Sequence, residues 1–213
     1  TAAKSIVNGV VGIDMLAGPS ELLVVADETV CPKLIAADLL AQAEHDPDAR
    51  PILVTQSPDL VRTVNAAIGK QLASLATAAI AKEALKNGVA VVCRSDDDIV
   101  DVVNNVAPEH LEVIGPTVER LAPRMRHYGG LFLGRDAAEV LGDYGAGPNH
   151  TLPTGGTARF SGGLSVFNFL RVRTWLRIDA LAGAQPLVDD ANTLAQLEGL
   201  AGHARSAQCR SLN

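Results

Sequence analysis

Residues 21–55, ELLVVADETVCPKLIAADLLAQAEHDPDARPILVT, decide the fold. The stretch opens on one short apolar run, ELLVVA (21–26), and closes on another, PILVT (51–55). Continuous rather than alternating hydrophobicity suits strands covered on both faces, as in a parallel sheet. Between the runs, residues 32–46 are helix formers with apolar positions at three-to-four spacing, so the stretch reads as a βαβ unit. Outward from it, VAVVC (89–93), HLEVI (110–114) and GLFL (130–133) repeat the strand signature, and residues 58–73, 76–87 and 95–105 repeat the helical one. Ser95 followed by Asp98 resembles a capping box with Asp in place of Glu. The acidic run Asp96–Asp98 suits the positive end of a helix and is read as a helix start. The class expected is α/β: a parallel-sheet, Rossmann-like domain with helices on both faces.

After Gly134 the character changes. Residues 142–164, GDYGAGPNHTLPTGGTARFSGGL, are rich in Gly, Pro, Ser and Thr and predict a long loop, the kind of segment that holds sites more often than cores. From Ser165 a helical pattern is expected again, SVFNFLRVRTWLRI and then QPLVDDANTLAQLEGLAGHARSAQ, with Gly183 between them. This tail is more apolar than two isolated helices could bury, so it should pack on the sheet domain or on another subunit.

The 213 residues suffice for a substantial core, and 47% hydrophobic with 20% charged residues is the composition of a folded globular chain. A net charge of −6 with no Lys/Arg patch argues against nucleic-acid binding. Cys31, Cys93 and Cys209 are odd in number and far apart, which fits a reducing compartment better than a disulfide framework, and none has zinc-finger spacing. No apolar run approaches the roughly 20 residues of a membrane helix, and no membrane partner is expected. The start, TAAKSIVNGVVGIDM, lacks both an initiator Met and a signal-peptide core, so the chain reads as a processed product or a fragment.

Four stretches carry residues capable of chemistry. Gln42 and His45 in LLAQAEHDPD stand one helical turn apart, so one cation could touch both; equally, they fit a polar turn where DPD ends a helix. In APEHLEV, Pro108 restricts Ala107 to extended geometry, and Glu109 with His110 opens a strand, as an acid–base couple or as a strand-start His bonded to backbone. GDYGAGPNHTLPT places Asp143, Asn149 and His150 among glycines that also serve turns, and it is no phosphate loop. In LEGLAGH, Glu198 and His203 are five residues apart, on different faces of an ideal helix.

Taken in order, GIDMLAGPSELLVVAD (12–27), LLAQAEHDPDA (39–49), APEHLEV (107–113), GDYGAGPNHTLPTGGTARFSGGLSVFNF (142–169) and LEGLAGHARS (197–206) resemble the signature blocks of histidinol dehydrogenase. The similarity spans the whole chain but only about the C-terminal half of a family member. The resemblance implies a zinc enzyme that oxidises L-histidinol through the aldehyde to L-histidine with two NAD, the last step of histidine biosynthesis. It makes Gln42, His45, Asp143 and His203 the zinc ligands, with the last donated across a homodimer whose active site is shared. The same four residues surround the substrate, joined by Ser20, His110 and Glu198, the last again from across the dimer. Glu109 and His110 become the catalytic acid–base pair, and His150 a further active-site residue.

In the family scheme His110 accepts the hydroxyl proton while hydride leaves for NAD, and a Glu109-assisted water then adds to the aldehyde. Residues 1–18 would be a remnant of a second nucleotide-binding-type domain, 19–164 the metal and substrate domain, and 165–213 a helical dimerisation tail. No Gly-x-Gly-x-x-Gly follows a strand here, so the cofactor side is expected from another polypeptide, and the chain to be a fragment or truncated form. The alternatives are a related zinc dehydrogenase of another primary alcohol and a non-catalytic, dimer-forming homologue. The resemblance implies the cytoplasm, or the plastid for a plant or alga.

Overall fold

The computed structural model describes residues 1–211 and, for Leu181 and Ala182, the backbone alone. The chain forms two compact units, Thr1–Leu170 and Arg171–Asn213. After a short helix α1 (Ala2–Val7), the first unit alternates β1 (Glu21–Ala26), α2 (Pro32–Ala43), β2 (Arg50–Thr55), α3 (Pro58–Leu72), α4 (Ala78–Ala84), β3 (Val89–Val92), α5 (Asp96–Val106) and β4 (His110–Ile114). It continues through α6 (Pro116–Glu119), β5 (Gly130–Leu133) and α7 (Glu139–Asp143). The strands form one parallel sheet in the order β3-β2-β1-β4-β5.

The apolar runs are continuous because both faces of the sheet are covered. Successive strand side chains alternate in direction. Leu23 and Val25 of β1, with Ile52, Val54, Leu111 and Val113 beside them, pack against Ile99 and Val103 of α5. Leu22 and Val24, with Leu53 and Ile114, pack against Ile35 and Leu39 of α2 and Leu60 and Val64 of α3. All six residues of β1 are buried.

Local signals set the helix starts. Pro32 and Pro58 open α2 and α3, where a missing N–H costs nothing, and Ser57 Oγ accepts from Leu60 N–H at 3.2 Å. The capping box at α5 forms as expected: Asp98 N–H donates to Ser95 Oγ at 3.1 Å, and Ser95 N–H to Asp98 Oδ2 at 3.2 Å. Helix α2 stops at Ala43, short of the expected 46, so His45 lies in a turn, its N–H 3.3 Å from Gln42 O.

Other expectations need correction. Ala107 is not extended: as C-cap of α5 it adopts a left-handed conformation (φ 50°, ψ 62°) and donates to Val103 O at 2.8 Å. The helix-closing bond there overrides the steric preference imposed by Pro108. The stretch SVFNFLRVRTWLRI is not a helix either. It holds one 3-10 turn, Val166–Phe169, and runs on without regular structure to Ala180. Leu170, Val172, Leu176 and Ile178 alternate with Arg171, Arg173 and Arg177, a two-residue period that suits an extended chain better than a helix.

In the second unit, α8 (Leu181–Leu197) and α9 (Ala201–Gln208) pack as a hairpin with Val188, Ala195 and Ala204 buried. Gly183 lies inside α8 instead of separating two helices. Leu212 and Asn213, the end of the expected tail, fall outside the described residues.

Candidate active site

The chemistry gathers at the amino ends of the central strands. Glu21 opens β1, with Ser20 just before it; His110 opens β4 and pairs in register with Leu22 on one side and Gly130 on the other. The left-handed turn at Ala107 lets Glu109 and His110 face one locus although neighbouring strand residues point apart. Glu109 Oε2 accepts from Glu21 N–H at 3.0 Å and lies 3.6 Å from His110 Nδ1. Burial pushes the Glu109 carboxyl up to about 7, and negative Glu21 and Asp143 push the same way, against hydrogen bonds from Glu21 N–H and Ser20.

His110 is 3% exposed. Its Nδ1 lies 3.2 Å from the backbone oxygen of Glu21, which can only accept, so Nδ1 carries the proton. The lone pair of the neutral ring is then on Nε2, which is buried with no hydrogen-bond partner among the described residues. Burial lowers the pKa of this imidazole and keeps it neutral near pH 7. A neutral ring with a desolvated, unpaired Nε2 is equipped to take a proton from a substrate.

Beside it lies a candidate metal centre. His45, Glu139 and Asp143 each bring a ligand atom within 4.8 Å of the others. Glu139 and Asp143 share a face of α7 through their four-residue spacing. Glu139 Oε1 stands 3.9 Å from His45 Nε2 and 3.6 Å from His110 Nδ1, between the metal cluster and the base. Burial raises the Glu139 carboxyl to about 9, and negative Glu112, Asp143, Glu109 and Asp38 add to that shift. Gln42, on the turn of α2 before His45, is fully buried with neither amide atom paired among the described residues. Buried amides are ordinarily satisfied, so an orphaned Gln one helical turn before His45 fits a bound cation. The donor set, nitrogen plus carboxylate and amide oxygens, suits zinc.

His110, Asp143 and His150 also line one cavity of about 210 Å³, with Phe132 and Leu152 in its walls. Ser20, Gln42, His45, Glu109, His110, Asp143 and His150 thus all fall in the first unit. Glu198 and His203 belong to the second. The helix breaks between them at Gly199 (φ +75°), so they line one groove of about 630 Å³ in the α8–α9 hairpin, rather than the separate faces an unbroken helix would give them.

Sequence reasoning missed Glu139 and Glu112. Both carried a signal: Glu112 is a carboxylate inside the apolar run HLEVI, and Glu139 lies four residues before Asp143.

The histidinol dehydrogenase family model matches residues 1–211. The chain is 47% identical over 209 residues to a histidinol dehydrogenase of Thiocapsa roseopersicina, covering 98% of this chain and 89% of that one. It is 48% identical to that of Lactiplantibacillus plantarum, covering 98% of this chain but 49% of the relative. The crystal structure of histidinol dehydrogenase from Elizabethkingia anophelis superposes with a TM-score of 0.89 at 37% identity, over 99% of this chain and 48% of that one. The chain spans about half the length of the Lactococcus lactis, Lactiplantibacillus plantarum and Geobacillus kaustophilus relatives.

Proposed function

Because the chain belongs to the histidinol dehydrogenase family, we propose that it provides the metal- and substrate-binding part of an enzyme oxidising L-histidinol to L-histidine, with zinc in the site and two NAD as hydride acceptors. Gln42, His45 and Asp143 would hold the metal, completed by His203 of the partner subunit in a homodimer. When bound, zinc would anchor the imidazole and amine nitrogens of histidinol, both good ligands for it. In this reading residues 19–164 form the metal and substrate domain, residues 165–213 the dimerisation tail, and residues 1–18 belong to a further domain. The NAD contacts are assigned to the half of the relatives that this chain does not span.

The work of the chain's own groups follows from their environments. Nε2 of His110 takes the hydroxyl proton as hydride leaves the carbinol carbon. Protonation makes that ring cationic, and ionised Asp143, together with Glu109 3.6 Å from Nδ1 when it has lost its proton, offsets the charge. Glu109, with its pKa raised to about 7, exchanges protons readily near neutrality and activates the water that adds to the aldehyde. Ser20 binds substrate together with Glu198 of the partner subunit, and His150 lines the cavity.

The observation that carries this reading is that His110, lining one cavity with Asp143, has a buried Nε2 with no hydrogen-bond partner among the described residues. Chain supplied with Zn²⁺, L-histidinol and NAD⁺ should form no NADH alone and should form it when supplemented with the N-terminal half of a full-length relative. NADH from the chain alone would refute the placing of the cofactor side. Equal turnover of other primary alcohols by the complemented protein would favour a related dehydrogenase, and inactivity in every combination a non-catalytic homologue.

A further inference from the structure

Glu112 is a charged residue type at the centre of a buried strand, in register with Val24 of β1 and Phe132 of β5, and it has no measurable exposure. One of its oxygens has a definite task. Oε1 accepts from the backbone N–H of Glu139 at 2.8 Å, the first helical residue of α7. The opening N–H groups of a helix have no partner within the helix, and at α7 the N-cap is Ala138, which has no side chain able to supply one. Five residues are too few for a helix to persist by itself, so the place of α7 is set from outside. Glu112 grips one end. The other is pressed onto β5 at Gly142, where an added Cβ would stand 2.7 Å from the Phe132 ring. That ring in turn lies 6.1 Å from the ring of His110.

We propose that Glu112 is a positioning residue: it ties α7 to strand β4, so that Asp143 and Glu139 meet His45 in fixed register with His110. Glu112 and His110 are two residues apart and share the α2 side of the sheet. One strand thus sets both the base and, through a single hydrogen bond, the helix bearing the carboxylate donors. The inference rests on the metal reading of the site. It goes further in assigning metal affinity to a residue that touches no metal.

The test is zinc affinity, measured on the full chain by competition with a chelator of known affinity, with circular dichroism as the check on folding. Glu112→Gln keeps an acceptor oxygen at the same reach and should bind Zn²⁺ within about 3-fold of wild type. Glu112→Leu removes the acceptor, and Glu112→Asp withdraws it by one methylene while keeping the carboxyl group. Both should weaken binding by roughly 10- to 100-fold, the usual cost of losing an outer-shell partner. The Asp variant keeps the question decidable if the Leu variant does not fold. A folded Asp or Leu variant that binds Zn²⁺ like wild type, or a Gln variant as weak as they are, would overturn the inference. Failure of the wild-type chain to bind Zn²⁺ would instead remove the metal reading and the inference with it.

Discussion

His45 and His110 are both imidazoles, and their surroundings divide the labour between them. His45 sits half-exposed beyond the end of α2 with Asp143 and Glu139 near its ring, whereas His110 is buried with Nδ1 tied to a backbone carbonyl and Nε2 free. His45→Ala should therefore abolish zinc retention. His110→Asn should leave zinc in place while slowing the complemented enzyme by ~10²-fold or more. Metal analysis beside turnover separates the two, and zinc loss in the second variant would contradict the division. Glu112 predicts a pH effect at the same scale. Its carboxyl is raised to about 8 by burial, first, and by Asp38. The unfolded chain therefore loses this proton near 4.5 while the folded one keeps it, so metal-free stability should fall as pH rises from about 4.5 through about 8. Glu112→Gln, which has no proton to lose, should make that fall shallower in denaturant titrations at pH 5, 7 and 9, the raised carboxyls of Glu139, Glu109 and Asp38 supplying the rest. An unchanged slope would show that Glu112 does not titrate as its burial requires.

At the scale of elements, strands and caps were legible because their causes are local. Five apolar runs became five strands with bounds moved by a residue at most, and Ser95 with Asp98 became the capping box of α5. Ser95→Ala should lower stability by about 1 kcal/mol, with the midpoint of chemical denaturation as the measure. The misreadings have different causes. Nothing in EVLGD says that its first N–H will be accepted by Glu112, twenty-seven residues earlier. Nothing in APEHLEV says that the closing bond of α5 will outweigh the preference imposed by Pro108. In Leu170–Ile178, three-to-four and two-residue spacings coexist, and the helical choice fails because the β-branched Val172, Thr174 and Ile178 weaken a helix.

At the scale of the whole molecule, the site lies at the amino ends of the parallel strands, opposite to the carboxyl-end crevice where open α/β sheets usually bind ligands. Two loops arrange this: the left-handed turn before β4, and the segment after β5 that returns α7 to the α2 face. Composition and periodicity reveal the sheet but not which of its ends is used. The signature blocks point to the site residues, which are scattered from Ser20 to His203. The central claim is that one zinc ion joins Gln42, His45 and Asp143 to His203 of the partner subunit. The most direct measurement is anomalous diffraction at the zinc edge from crystals grown with Zn²⁺. The account predicts one peak per chain, about 2.0–2.2 Å from the coordinating atoms of His45, Asp143 and His203 of the partner subunit, with the Gln42 amide oxygen also in contact. A peak elsewhere, or a site closed without the partner's His203, would contradict it.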